Sequence, residues 1–231
     1  MTYFAILISS LIVPGAYAIL IRNYIPNFKQ FCISTTIVAV LYLIWDAVFT
    51  ANGIWWFNAK YCSEIAIVGM PLEEILFFFV IPFCSLFLHF ALKTYFSVAR
   101  KKAFNVIFSF VTYIIIAGAF LLAILFHKQS YTSVNFFILG TVALLAYILE
   151  KSELIQFYLS FLIIILLFII VNGALTGMFS SISDAIVQYN PDHMIGIRCV
   201  TIPIEDFGYA YSMLVLNLIV YRRLQVNYTS T

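Results

Sequence analysis

Residues 61–79 read Tyr61-Cys62-Ser63-Glu64-Ile65-Ala66-Ile67-Val68-Gly69-Met70-Pro71-Leu72-Glu73-Glu74-Ile75-Leu76-Phe77-Phe78-Phe79. A second stretch follows the same plan: Tyr189-Asn190-Pro191-Asp192-His193-Met194-Ile195-Gly196-Ile197-Arg198-Cys199-Val200-Thr201-Ile202-Pro203-Ile204-Glu205-Asp206-Phe207. Each runs from a tyrosine through an Ile/Val-Gly step to Pro-x-Glu-(Glu/Asp), then into an apolar run rich in aromatics. Pro71 and Pro203 lie 132 residues apart, and Asn52-Gly53 and Asn172-Gly173 occupy comparable places upstream. This match predicts an internal duplication.

Working outward, the 231 residues are 64% hydrophobic and 10% charged, with a mean hydropathy of +1.06. A soluble chain is about 45–50% apolar and about 25% charged, so lipid must solvate most of this surface. A net charge of +2 gives no ground for a nucleic-acid partner. A membrane helix needs about 20 mostly apolar residues. Seven such runs are present: Tyr3–Ile21, Phe31–Thr50, Met70–Leu92, Phe104–Phe126, Thr132–Leu149, Leu154–Gly173 and Val200–Tyr221. The expected fold is an all-α integral membrane protein of seven transmembrane helices. Helices one to three (residues 1–94) correspond to helices five to seven (residues 130–231), with a linker helix over 95–129. An odd connector makes the halves run the same way, giving a parallel repeat about an axis along the membrane normal.

Basic residues set the orientation. One side carries nine: Arg22, Lys29, Lys93, Arg100, Lys101, Lys102, Lys151, Arg222 and Arg223; the other carries three: Lys60, Lys128 and Arg198. The chain is therefore expected in the cell membrane with its amino terminus outside and its carboxyl terminus cytoplasmic. The opening residues lack the basic region of a cleaved signal, so the first apolar run is expected to stay as a helix.

Proline suits a helix start, and the positive end of the helix dipole favours acids just after it. A helix start alone explains a single copy of the motif. Two copies at one depth, each with adjacent acids, point further, because intramembrane acids cost roughly 2.5–3.5 kcal/mol on insertion scales and are functional by default. Neighbouring residues on a helix point about 100° apart, so one acid of each pair can face a cavity while the other supports it. A carboxylic acid kept neutral donates a proton, and a facing carboxylate accepts one. The candidate catalytic residues are Glu73, Glu74, Glu205 and Asp206, the first glutamate of each pair being preferred. Asp46, a further buried acid, either orients them or serves as a structural hydrogen-bonder. Trp45, Phe77, Phe78, Phe207 and Tyr209, with Asp46, Asn52 and Asn172, are candidates for the substrate-binding wall. Rings facing the acids stabilise a carbocation by about 2 kcal/mol or more when desolvated. Cys32, Cys62, Cys84 and Cys199 show no CxxC spacing, and His89, His127 and His193 have no ligand-spaced partner, so no metal is expected.

With its two Pro-x-Glu-(Glu/Asp) motifs, each heading a helix in one half, the chain resembles the membrane-integral lycopene cyclase domain family, in its fused, single-chain form. The resemblance implies conversion of the linear ends of lycopene, or a related linear carotenoid, to β-rings without net redox change. An acid would protonate the terminal double bond, the cation would close the ring, and a base would remove the neighbouring proton. The motif roles carry over to Glu73, Glu74, Glu205 and Asp206. No GxGxxG fingerprint follows a strand, so a bound flavin is not expected; the implied partners are the carotenoid and membrane lipid. The alternative is a small-solute transporter with 3+1+3 parallel repeats, against which stands the scarcity of polar residues in helices one, four and five. A retinal-binding protein needs a lysine in the last helix, and Val200–Tyr221 has none.

Overall fold

The computed structural model describes residues 2–96 and 102–229, with backbone only for 102–104 and 226–229. Arg100 and Lys101 of the basic pattern lie outside the described residues. Seven long helices form where the apolar runs predict them: α1 Thr2–Leu20, α2 Phe28–Ala51, α3 Leu72–Tyr95, α4 Lys102–Leu125, α5 Ser130–Leu149, α6 Lys151–Thr176 and α7 Ile204–Thr229. The first six are long and apolar enough to cross a membrane. The seventh is less apolar because it is sheathed in protein, packing on α2, α3, α5 and α6. Its polar groups find partners there: Asn217 accepts from Ser34 at 2.8 Å and donates to Thr35 at 3.1 Å, and Ser212 accepts from Tyr42 at 2.8 Å. A helix hidden from lipid needs no apolar outer face.

By contrast α4 lies to one side. It packs chiefly on α5 and also on α6, with the ring of Phe120 pressed against Gly140, where a Cβ would stand 3.1 Å from the ring.

The two long connections are not plain loops. β2 (Ala66–Ile67) pairs with β3 (Met70–Pro71), and β5 (Arg198–Cys199) pairs with β6 (Ile202–Pro203), so each motif is entered from a short antiparallel hairpin. The two hairpins match at an offset of 132 residues. The bonds that dock them recur too: Leu72 N–H donates to Ile65 O at 2.9 Å, and Ile204 N–H to Ile197 O at 3.0 Å. Val68 and Val200 occupy the same turn position with φ of 53° and 60°, a left-handed conformation that branched residues adopt at a cost of about 1–3 kcal/mol.

A third pair joins the halves. β1 (Trp55–Phe57) runs antiparallel to β4 (Val187–Tyr189), with Trp55 opposite Tyr189 and Phe57 opposite Val187. Asn58 N–H donates to Ile186 O at 2.8 Å, and Asn190 N–H to Ile54 O at 2.9 Å. Exchanging the halves maps each bond onto the other, so β1 and β4 meet as the two sides of a pseudo-two-fold axis. This register corrects one detail of the sequence alignment. Tyr189 corresponds to Phe57 rather than to Tyr61, and Tyr61 donates to Asp184 at 2.7 Å.

Candidate active site

Both acids of each motif stand in the first turn of a helix, yet they meet different surroundings. Glu73 is fully buried and accepts from the Ser63 backbone N–H at 2.7 Å and the Ser63 hydroxyl at 2.8 Å. Glu205, also fully buried, accepts from the Ile195 N–H at 2.9 Å and the Thr132 hydroxyl at 2.6 Å. The two amides are equivalents in the repeat. The first glutamate of each pair thus ties its helix to the segment leading into the hairpin. The Asn135 amide caps the same turn by donating to the Glu205 carbonyl.

The second acids point elsewhere. Glu74 accepts from the Tyr3 hydroxyl at 2.6 Å. Asp206 accepts from Tyr131 at 2.5 Å, Asn172 at 2.7 Å and Tyr189 at 2.8 Å. Tyr3 and Tyr131 both stand at the start of the first helix of their half. Burial, and then the charge of Asp206, pushes the Tyr189 phenol well above its ordinary value, so it remains a donor. Asp46 of α2 accepts from the Trp55 indole at 2.6 Å, and its Oδ2 is buried with no partner among the described residues.

Glu74, Asp206 and Asp46 line a single cavity of about 600 Å³, and neither Glu73 nor Glu205 does. Around the three lining acids stand Tyr3, Trp55, Tyr131, Tyr189 and Tyr209, and beyond them the walls are mainly aliphatic and aromatic. Where α1 and α6 part, the lining includes Val13, 72% exposed, and Ile170, 57% exposed, so the cavity opens sideways onto the surface of the bundle.

Of the residues expected at the binding wall, Asp46, Phe77, Asn172 and Tyr209 line the cavity. Trp45 stands behind Tyr209, with ring centroids 4.6 Å apart. Phe78 is buried with Val38, Tyr42 and Met213, and Phe207 packs on Phe168. Asn52 is exposed and closes the end of α2, its side chain donating to Val48 O at 2.7 Å. The pairing of Asn52-Gly53 with Asn172-Gly173 therefore does not extend to their surroundings. Tyr3 and Tyr131 were not legible as site residues: an aromatic at a helix end reads as an interfacial anchor, and only the fold brings each to a carboxylate more than seventy positions away.

These features define a multi-pass helical membrane protein with a carboxylate cluster at one end of an apolar, ring-walled cavity. The family model described as lycopene cyclase matches residues 1–92 and 127–224, and the chain belongs to that family. It is a carotenoid cyclase of the membrane, acting on a carotenoid substrate. The matched segments hold the three-helix halves and leave out α4. Compared with curated proteins and with solved structures, the chain has no significant match.

Proposed function

We propose that the chain converts the linear ends of lycopene to β-rings, an isomerisation without net redox change, with Glu74 and Asp206 as its acid and base. The observation that carries this reading is the meeting of Glu74, Asp206 and Asp46, from both halves, at one end of an apolar cavity. Glu74 has one oxygen, Oε1, that accepts no hydrogen bond among the described residues, and a proton can reside there. Asp206 is held in place by three hydrogen bonds, from Tyr131, Asn172 and Tyr189, and is assigned the role of base. The sequence preference for the first glutamate of each pair is not what this geometry supports. Glu73 and Glu205 serve instead as positioning residues that fix the first turn from which Glu74 and Asp206 project.

The proton leaves Glu74 for the terminal double bond of the substrate, and the cation attacks the next double bond to form the ring carbon–carbon bond. Asp206 then takes a proton from the carbon beside the new cationic centre, leaving the ring double bond. Nothing is oxidised or reduced. Tyr3, Trp55, Tyr189 and Tyr209 surround the transient cation with ring faces, and apolar walls keep water from trapping it. The substrate reaches the acids from lipid through the gap between α1 and α6. The motif end is assigned to the outer face of the cell membrane, since Arg22, Lys29, Lys93, Lys151, Arg222 and Arg223 all belong to the opposite end.

Expression in a lycopene-producing host, with pigment analysis, tests the assignment. Glu74→Gln and Asp206→Asn are each expected to lower ring formation by about 100-fold or more, the usual worth of a positioned acid or base. Glu73→Gln is expected to lower the amount of folded protein while the folded fraction still forms rings. Wild-type cyclisation in both Glu74→Gln and Asp206→Asn would sink the proposal.

A further inference from the structure

The cavity has a second end. Glu74 and Tyr95 both line it and stand 21 positions apart on α3. At 1.5 Å per residue the cavity therefore extends roughly 30 Å along that helix, about the thickness of the hydrocarbon core. Its lining carboxylates, among the described residues, are all at the motif end: Asp46 near the end of α2, Glu74 and Asp206 in the first turns of α3 and α7.

Rings gather at the opposite end. Tyr17 and Tyr24 stack with centroids 5.9 Å apart, and Phe87 meets them edge-on at 6.3 and 5.7 Å. Tyr24 shares a 2.6 Å hydroxyl–hydroxyl bond with Tyr95, and the Arg22 guanidinium lies over its ring at 5.0 Å. The group joins the end of α1, the α1–α2 link and the end of α3. The bore between the two ends is lined by apolar side chains such as Ile81, Leu88, Ala91 and Ile164.

From this layout, and resting on the cyclase reading above, we infer that the Tyr17–Tyr24–Tyr95 group is a stop that receives the unreacted end of the carotenoid and gauges its length. The two motifs do not serve two chain ends. Their acids converge on one end of one bore, so each binding event presents a single chain end to acid while the other rests against rings that hold no proton donor of carboxyl strength. A second ring requires the chain to leave and return reversed. A shorter chain leaves the far end empty and gains nothing from it.

The test uses purified full-length protein in detergent, limiting relative to substrate, with lycopene and with an acyclic carotenoid shorter by two isoprene units. Ala91→Phe narrows the bore near the stop. It is expected to raise KM for lycopene about tenfold with kcat little changed, the signature of lost uniform binding, while KM for the shorter chain stays within about twofold of wild type. Equal effects on both substrates, or none on either, would overturn the gauge. Leu88→Phe, one helical turn closer to the acids, is the second variant if Ala91→Phe does not fold, as judged by its thermal midpoint. Wild-type protein is also expected to release monocyclic product before any bicyclic product appears, and an excess of unlabelled lycopene should displace labelled monocyclic product from further conversion. Bicyclic product as the first species released overturns the inference while leaving the cyclase reading intact. Failure of wild-type protein to form any ring from either substrate overturns both.

Discussion

Glu73 and Glu205 occupy equivalent places, but they are not equally satisfied. Ser63 gives Glu73 both its amide and its hydroxyl. Its counterpart in the second half, Ile195, has an amide alone, and Glu205 Oε2 is buried with no partner among the described residues. A hydrogen bond to a charged group contributes about 1.5–3 kcal/mol. Ser63→Ala should therefore lower stability by about 2 kcal/mol, read as a drop in the thermal midpoint in detergent, and should leave the ring type of the product unchanged. An unchanged midpoint would show that the Ser63 hydroxyl contributes nothing to anchoring Glu73. Next to it, the Cys62 thiol is pushed up to about 11, by burial first and then by the charges of Glu73 and Glu74. Only the thiolate reacts with alkylating reagents, so Cys62 should label slowly at neutral pH and faster as pH climbs towards that value. Glu73→Gln removes a negative charge that opposes the thiolate, so the rise in labelling rate should move to lower pH. No movement would mean that the Glu73 charge is not felt at the thiol.

Between the helices, a cluster of ion pairs lies far from the motifs. Glu153 of α6 is nearly buried and takes bonds from Lys93 of α3 at 2.5 and 2.7 Å. His89, fully buried one turn earlier on α3, joins Glu153 at 3.0 Å and Ser160 at 3.0 Å. Arg222 of α7 approaches Glu153 to 4.0 Å. One carboxylate thus ties three helices together near the basic end of the bundle. Removing one partner of a buried ion pair leaves the others uncompensated and costs about 3–5 kcal/mol. Glu153→Ala should reduce stability on that scale in thermal unfolding, and a loss under 1 kcal/mol would mark the cluster as solvated. This cluster was illegible in the sequence because its members lie about sixty positions apart on different helices, and a histidine inside an apolar run reads as an isolated residue. Helices α1 to α6 were legible because each apolar run is long enough to span a bilayer, and the two hairpins were not, since strands of two residues carry no period. The sequence offset by 100° says that adjacent acids face different ways. Which of them faces the cavity depends on what α3 and α7 pack against. With Phe77, Phe78 and Phe79 following on three different faces of the helix, the pattern holds no clue to that.

At the scale of the whole chain, the halves are held together by features that do not need a covalent link. β1 and β4 pair across the pseudo-two-fold axis, α2 packs on α7 and α3 on α6, and the cavity takes Glu74 from one half and Asp206 from the other. Among the described residues, none of α4 lines the cavity, and the helix packs chiefly on α5 and α6 of the second half. Its remaining role is topological. One added crossing lets the second half insert in the same direction as the first, and two separate chains can satisfy that condition independently. The chain cut between Phe96 and Lys102, with both fragments expressed in one lycopene-producing membrane, is therefore expected to form rings, whereas either fragment alone should form none. The activity of the pair should depend on expression level, because linkage raises the effective concentration of one half near the other into the millimolar range. Pigment analysis at two expression levels reads both effects. Ring formation by a single fragment would mean that one acid set suffices, and the convergence of the two halves on one centre would lose its catalytic meaning.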